Sequence, residues 1–307
     1  MSSTEHSVKD KLTVVITTYN RTKQLDATLT FFESNPLLRE CPFVVLNNQS
    51  TDNTAEVVEK HKQSFASLEL VTHPVNVGAN ANYMHGLEHC HTDYLWIIAD
   101  DDSYDFSEFD DVAAELIKGR ADIIHVGAHN DGEWNWGVYE TPKALIQKGY
   151  HYFKYSSFWG CSILKLSYFK QYAKEAFDFI HFSYPHFPYL IKAYNNDTPV
   201  YVSKKRIVTA TVGVQSYSYY IPIRGFVMAS SLTTTPEARR AVCKAVYNNR
   251  KPLWYNYITT CSRYRHEAEF VLVKYNIRRV MTVAEKLAAF ALYIPISLYD
   301  KVQRHGK

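Results

Sequence analysis

No CxxC pair occurs among the five cysteines of this chain (Cys41, Cys90, Cys161, Cys243 and Cys261), and their number is odd. That usage excludes a disulfide framework and leads us to expect reduced thiols in a cytoplasmic protein. No GxGxxG follows the first apolar run, which argues against a nicotinamide or flavin dinucleotide site. A GxxxxGK[ST] phosphate loop and the GxSxG elbow of serine hydrolases are absent too. No apolar run reaches the length that spans a bilayer. The segment MSSTEHSVKDK is polar, without the apolar stretch of a signal peptide, so Asn48 and Asn196 are not expected to carry glycans although each begins an NxS/T sequon. A net charge of +3 is too small to point to nucleic acid. No repeat of solenoid length is present.

What is present is an ordinary folded composition, 46% hydrophobic and 21% charged, in a length of 307 residues. That length suits one large domain, or a domain with a substantial appendage. Aromatic residues reach 15%, with 24 tyrosines, most of them beyond residue 130. Such a surplus fits a groove for sugars or other amphipathic ligands, as well as plain packing.

The organising stretch is Tyr94 to Ser103, YLWIIADDDS. An apolar run this short, ending abruptly in Asp100, Asp101 and Asp102, reads as a strand buried on both faces. Ligand sites of α/β sheets lie just beyond the carboxyl ends of such strands. Three adjacent like charges repel, so folding alone gives no reason to gather them. They act either as a solvated helix cap or as ligands for a hard divalent cation carrying phosphate oxygens.

Taken in order, residues 1–11 read as a flexible tail and Leu12–Thr17 as the first buried strand. A helix follows, with Leu25, Leu29 and Phe32 at helical spacing. Phe43–Leu46 is a second strand, and Ser50, Thr51 or Asp52 caps a helix carrying Ala55, Val58 and His61 inward. Leu68–Thr72 is a short strand, followed by a helix with Tyr83, Leu87 and Cys90 on one face. After the aspartates, Ser107 opens a helix with Phe109, Val112, Leu116 and Ile117 inward, and Asp122–Val126 is another strand. This alternation predicts an α/β fold with a mostly parallel sheet and helices on both faces. Beyond Gly127 the pattern loosens into a loop or hairpin over 128–150. A mixed strand, a helix near 167–176, a helix entered through Pro185 and Pro188, and a strand within Val200–Thr211 follow. From Pro236 the chain reads as helical. The apolar run Val280–Leu298, flanked by Lys274, Arg278, Arg279, Lys286, Lys301 and Arg304, either packs on the core or lies at a membrane interface as a basic amphipathic helix.

Four strand-end loops carry polar residues: TTYNR at 17–21, NNQSTDNT at 47–54, NVGANAN at 76–82 and DDD at 100–102. In this order and spacing they resemble the nucleotide-sugar-binding half of inverting family-2 glycosyltransferases with the GT-A fold. The likeness covers 12–127, with a looser likeness over 155–225. It implies a Rossmann-like central sheet, with 12–127 as the nucleotide-sugar half, 128–235 as the acceptor half and 236–307 as a helical appendage. By resemblance, Thr18, Tyr19, Asn20 and Arg21 contact the donor nucleoside, together with Asn47, Asn48, Ser50 and Asp52. Asn47 stands where the family usually has an aspartate; an amide donates as well as accepts, which changes what it can read on a base. Asn76 and Gly78 match a loop that lets backbone approach the donor. Asp100 and Asp102 correspond to the family's DxD: by resemblance Asp100 holds the ribose or sugar of the donor, Asp102, aided by Asp100, holds Mn²⁺ or Mg²⁺, and Asp101 borders the donor and braces the loop. The physics agrees, because a departing nucleoside diphosphate gains charge that a fixed cation stabilises. Trp159 and Gly160 match the acceptor loop. His186 stands nearest the family's catalytic base, with His181 and Asp178 as alternatives. Arg224 is positioned to pair with a diphosphate, near Gln215, Ser216 and Tyr217.

The function implied is transfer of a sugar from a nucleotide-diphosphate donor to a hydroxyl of a glycan or lipid-linked glycan. Bacterial enzymes of this family that build lipopolysaccharide and other surface polysaccharides do this at the cytoplasmic face of the inner membrane, where the C-terminal helix offers peripheral contact. Two other readings stand beside it. One is a nucleotidyltransferase, although TTYNRTKQ lacks that class's glycine-rich loop. The other is a non-catalytic nucleotide-sugar or carbohydrate-binding module, which has no need of the DxD. His85, Glu88, His89, Cys90 and His91 suggest zinc only weakly, since no second ligand pair has the usual spacing.

Overall fold

The first strand, β1 (Leu12–Thr18), is buried at all seven positions. A strand covered on both faces is marked by a continuous β-branched and aliphatic run rather than by alternation. A computed structural model describes residues 7–128, 133–210, 218–247 and 251–305. Residues 1–6 of the expected tail, and Gln215, Ser216 and Tyr217, lie outside the described residues. The chain divides into two units, one of Met1–Ile180 with Pro185–Gly213 and one of His181–Tyr184 with Val214–Lys307.

In the first unit α1 (Thr22–Glu33) precedes β2 (Pro42–Asn47), α2 (Thr54–His61) precedes β3 (Ser67–Thr72), and α3 (Ala79–His85) precedes β4 (Tyr94–Ala99). Then come β5 (Ser103–Tyr104), α4 (Asp110–Lys118), β6 (Ile123–His125), β7 (Gly127–Ala128), β8 (Val138–Glu140), α5 (Pro142–Gln147) and α6 (Tyr152–Tyr155). The unit ends with β9 (Ser162–Lys165), α7 (Leu166–Gln171), α8 (Ala173–Asp178), α9 (Phe187–Asn195), β10 (Val200–Val202) and β11 (Val208–Thr209). Eight strands form one sheet in the order β3-β2-β1-β4-β9-β6-β10-β8, and β5-β11-β7 form a second. β3, β2, β1 and β4 are parallel neighbours, whereas β9 runs antiparallel to both β4 and β6. The chain steps outward from β1 through β2 to β3 and then crosses back to β4 on the other side of β1. The reversal of strand order therefore falls between β1 and β4, and the crevice at their carboxyl ends is where such sheets bind ligands.

Phe32 of α1 anchors the core under that edge. Its ring meets those of Phe43, Trp96, Tyr104 and Phe106 at centroid distances of 4.9 to 5.8 Å. Several boundaries differ from expectation. α4 starts at Asp110 rather than Ser107 and leaves Ile117 exposed, and Ala55 faces solvent while Thr54 turns inward. The helix expected over 167–176 is two helices, broken at Tyr172. Val200–Thr211 holds two strands that belong to different sheets.

The second unit is built from α10 (Tyr220–Ala229), α11 (Pro236–Ala245), α12 (Leu253–Arg263), α13 (Phe270–Val280) and α14 (Val283–His305). Tyr220, Ile223, Val227, Leu253, Ile258, Val273 and Ile277 form its own core. The apolar run expected over Val280–Leu298 is interrupted, because Thr282 and Glu285 bond each other's backbone N–H groups at 3.2 and 2.8 Å. That reciprocal cap starts a new helix.

Candidate active site

The site grows from the register of β1 and β4. Thr17 pairs with Ala99, so Thr18 and Asp100 leave the sheet side by side. The Thr18 hydroxyl donates to Asp100 Oδ2 at 2.6 Å, and Arg21 Nη1 donates to Asp100 Oδ1 at 3.1 Å. Arg21 also grips Asp101. Asp100 is buried, and burial pushes its carboxyl up to about 6, with the Thr18 hydroxyl and Arg21 opposing the rise. Thr28 of α1 donates to the Asp100 carbonyl at 3.0 Å, so the first helix fixes the backbone of the aspartate turn.

Asp102 lies against Gly160: a Cβ added there would stand 3.3 Å from Asp102 Oδ2, tighter than an ordinary contact, so a side chain at 160 would press on the carboxylate. Trp96 of β4 donates from Nε1 to the Gly160 carbonyl at 2.9 Å, which ties the Trp159–Gly160 turn to the same strand that carries the aspartates. The Trp159 ring lies 5.1 Å from Tyr83, and Tyr83 lies 6.1 Å from His186. The first unit thus brings Thr18, Arg21, the three aspartates and Gly160 to one edge, with Trp159 and His186 joined through Tyr83.

The polar loops expected to meet the donor are largely bonded to one another. Asn47 Oδ1 accepts from Ser50 N–H at 2.8 Å, and its amide reaches Thr72 Oγ1 at 3.4 Å. Asn48 donates to Asn76 Oδ1 at 2.9 Å and accepts from Val77 N–H at 2.9 Å. Asp52 accepts from Thr22 N–H at 3.1 Å and from Thr54 N–H at 3.3 Å, so one carboxylate holds the first turns of both α1 and α2. Against the desolvation of its partial burial, hydrogen bonds from the Thr22 and Thr54 hydroxyls, and then from their N–H groups, hold it below the usual carboxylate range. Asn20, at φ 52, receives the Thr51 N–H at 2.8 Å and bonds Ser50 Oγ through its own N–H at 2.9 Å. Gly78, at φ +81, adopts a backbone that disfavours any Cβ and leads into α3. Tyr19 is exposed, and Arg21 and Asp101 are partly so.

The base candidates differ sharply. His186 is buried, its Nε2 donates to the Ser156 carbonyl at 2.9 Å, and burial pushes it down to about 4. Asp178 is exposed and pairs with Lys174 at 2.9 Å. His181 belongs to the second unit, where it meets Glu269 at 2.6 Å. Arg224 belongs there as well, donating to Glu269 at 2.9 Å and to the His181 carbonyl at 2.9 Å.

Among the described residues no three His, Cys, Asp or Glu side chains are grouped to hold a metal. The His85 region supplies only a pair, His85 to Glu88 at 2.9 Å. The DDD turn offers hard carboxylate oxygen without thiol or imidazole, the donor type that suits Mg²⁺ or Mn²⁺ when phosphate and water complete the shell. Asp100 accepts hydrogen bonds from Thr18 and Arg21 on its two oxygens, so its carboxylate is held in place in the turn. Thr28 and Trp96 were not singled out in the sequence, since each occupies the apolar face of its element.

The family model for glycosyl transferase family 2 matches residues 13–196, more than half of the chain. A curated dolichyl-phosphate beta-glucosyltransferase, ALG5C of Trichomonas vaginalis, is 26% identical over 133 residues. That match takes in 39% of each chain, so the chain spans well under half of that relative's length. Among solved structures, S. aureus TarS 1-349 superposes with a TM-score of 0.66 at 16% identity, covering 97% of this chain and 92% of that one. The same protein in complex with UDP-GlcNAc gives 0.65 at 15% identity with the same coverage. The mannosyltransferase PcManGT from Pyrobaculum calidifontis, in complex with GDP-Man and Mn²⁺, gives 0.54 at 14% identity over 96% of this chain and 84% of that one. At these identities the superpositions establish a shared GT-A fold.

Proposed function

The chain belongs to glycosyl transferase family 2, and from that premise we propose that it is an inverting, metal-assisted transferase using a nucleotide-diphosphate sugar. The observation that carries the proposal is Asp102 seated against the side-chain-free Gly160, one turn from an Asp100 fixed by Thr18 and Arg21. In this reading Asp100 and Arg21 hold the turn, Tyr19 borders the nucleoside, and the Trp159–Gly160 turn receives the acceptor. A Mg²⁺ or Mn²⁺ held by Asp102 would supply positive charge against the leaving diphosphate. UDP-GlcNAc and GDP-Man in the similarly folded TarS and PcManGT support a nucleotide-sugar donor, and the Mn²⁺ of PcManGT supports the ion.

His186 is the base we favour. Burial pushes its imidazole down to about 4, so it enters the reaction uncharged but as a weaker proton acceptor than a free imidazole, and the bond from Nε2 to the Ser156 carbonyl makes Nδ1 the accepting nitrogen. Asp178 and His181 are each engaged by an oppositely charged or titratable partner. The acceptor we assign is a glycan on a lipid carrier at the cytoplasmic face of a membrane. The name of the Trichomonas relative, a dolichyl-phosphate beta-glucosyltransferase, supports the lipid part of that acceptor, and the glycan on it comes from the resemblance alone.

The test is hydrolysis of a set of UDP- and GDP-sugars with Mn²⁺ or with EDTA, in the wild type and in Asp102→Ala. Cleavage that needs the metal and is lost in the variant, with its melting temperature unchanged, is expected. Full activity in Asp102→Ala or in EDTA would refute metal assistance through this residue.

A further inference from the structure

We propose that the outer face of α14 docks onto an anionic lipid bilayer. The helix has a packed side and an exposed side. Its inner side carries Glu285, Ala289, Ile296 and Asp300: Ala289 and Ile296 join the core of the second unit, Glu285 receives Arg240 at 2.7 Å and Asp300 receives Arg263 Nε at 2.9 Å. The opposite side carries Val283, Leu287, Phe290, Ile294 and Leu298, spaced four, three, four and four residues apart, the repeat of one helix face. Val283 is 73% exposed, Leu287 65%, Phe290 88% and Ile294 70%. The stripe runs about 22 Å along the axis at 1.5 Å per residue. Isolated exposed leucines are ordinary, but a continuous apolar stripe on a folded protein marks something that covers it.

Charge identifies the cover. Between Phe270 and Val302 the chain has only two acids, Glu285 and Asp300, and both turn inward onto arginines. The cations point elsewhere. Arg278 and Arg279 are exposed at the end of α13, a few residues before the stripe begins. Lys286 and the exposed Lys301 lie beside the stripe, one near each end. An apolar face with Lys286 and Lys301 beside it on the same helix, Arg278 and Arg279 exposed on the preceding one, and no acid on it matches a layer of anionic headgroups over acyl chains. A second copy of the same face would instead set like charges against each other. No helix among the described residues is long and apolar enough to cross a membrane, so the contact is one of lying in the interface. The surface is independent of the catalytic reading, but it would keep the enzyme beside a lipid-linked acceptor.

The experiment is flotation of the full chain with vesicles of phosphatidylglycerol and phosphatidylcholine in equal parts, and with phosphatidylcholine alone. Binding to the anionic vesicles that weakens as salt rises is expected. Phe290→Asp should lower partitioning about tenfold or more, because it removes buried apolar area and adds an anion. Arg278→Gln and Arg279→Gln should each lower it about fivefold, the ~1 kcal/mol of one cation near such a surface. Both kinds of variant alter exposed positions, and their donor hydrolysis in the absence of vesicles should match the wild type. Absence of anionic binding, equal binding to neutral vesicles, or unchanged binding by Phe290→Asp would overturn the proposal. So would self-association that Phe290→Asp abolishes without any vesicle binding, which would assign the face to a second copy.

Discussion

His125 and His186 are both buried and both held neutral, the first pushed down to about 3 and the second to about 4 by desolvation. For His125 the consequence is a stability that depends on pH. Below about pH 6.5 the unfolded chain takes up a proton on this side chain that the folded chain refuses until near pH 3, so its contribution is complete above that window and falls as acid is added, by at most ~1.4 kcal/mol per pH unit. We expect His125→Gln to flatten the fall of melting temperature between neutral pH and about pH 4.5. Parallel curves for variant and wild type would show that His125 is charged in the fold. For His186 the question is chemistry against packing, since its ring contacts Tyr83 and Phe187. His186→Phe keeps an aromatic ring and removes the nitrogens. The expected outcome is donor binding retained with turnover lowered about 100-fold or more, the usual worth of a general base. An unchanged rate would reassign the base to Asp178 or His181. Neither role could be told from the sequence, where a histidine among aromatics looks the same in a wall and in a site.

At the scale of elements, the donor half was legible because its signals are local. β1, β2 and β4 are continuous apolar runs that end in polar loops, and α1 repeats Leu25, Leu29 and Phe32 on one face. Less legible were the partners of the polar side chains in those loops. Asn47, Asn48 and Asp52 were expected at the donor, and the fold spends most of their hydrogen-bonding capacity on neighbouring backbone and side chains. An amide or carboxylate in a turn looks alike whether it serves the chain or a ligand. The small sheet of β5, β11 and β7 was invisible for another reason, because each strand is two residues long and shows no period. Its packing still leaves a mark at Gly127, where a Cβ would stand 2.2 Å from Val208 Cγ1 and 2.3 Å from the Val208 carbonyl oxygen. Gly127→Ala must therefore move backbone. A loss of about 1–3 kcal/mol in denaturant unfolding is predicted, and an unchanged midpoint would contradict the close pairing of β7 with β11.

For the whole molecule, the helical unit begins at Val214 rather than at Pro236, so that α10 falls outside the expected acceptor half, and it also takes in His181–Tyr184. The sequence left two fates open for the C-terminal apolar run, core packing or a membrane interface. α14 packs one side into the core of the second unit and leaves an apolar side exposed, a division that a linear reading cannot make, because both fates select apolar residues. The five cysteines are all buried free thiols, as their scatter suggested. In the proposed function, the aspartate turn of the first unit recognises a nucleoside diphosphate through a cation on Asp102. The most direct measurement is thermal stabilisation by a panel of nucleoside diphosphates, with Mn²⁺ or with EDTA, in the wild type and in Asp102→Asn. A ligand at a hundredfold excess over its Kd stabilises the native state by about 2.7 kcal/mol. We predict that at least one diphosphate raises the wild-type melting temperature with Mn²⁺, and that EDTA and Asp102→Asn each remove the rise. An equal rise in the variant, or in EDTA, would contradict the account.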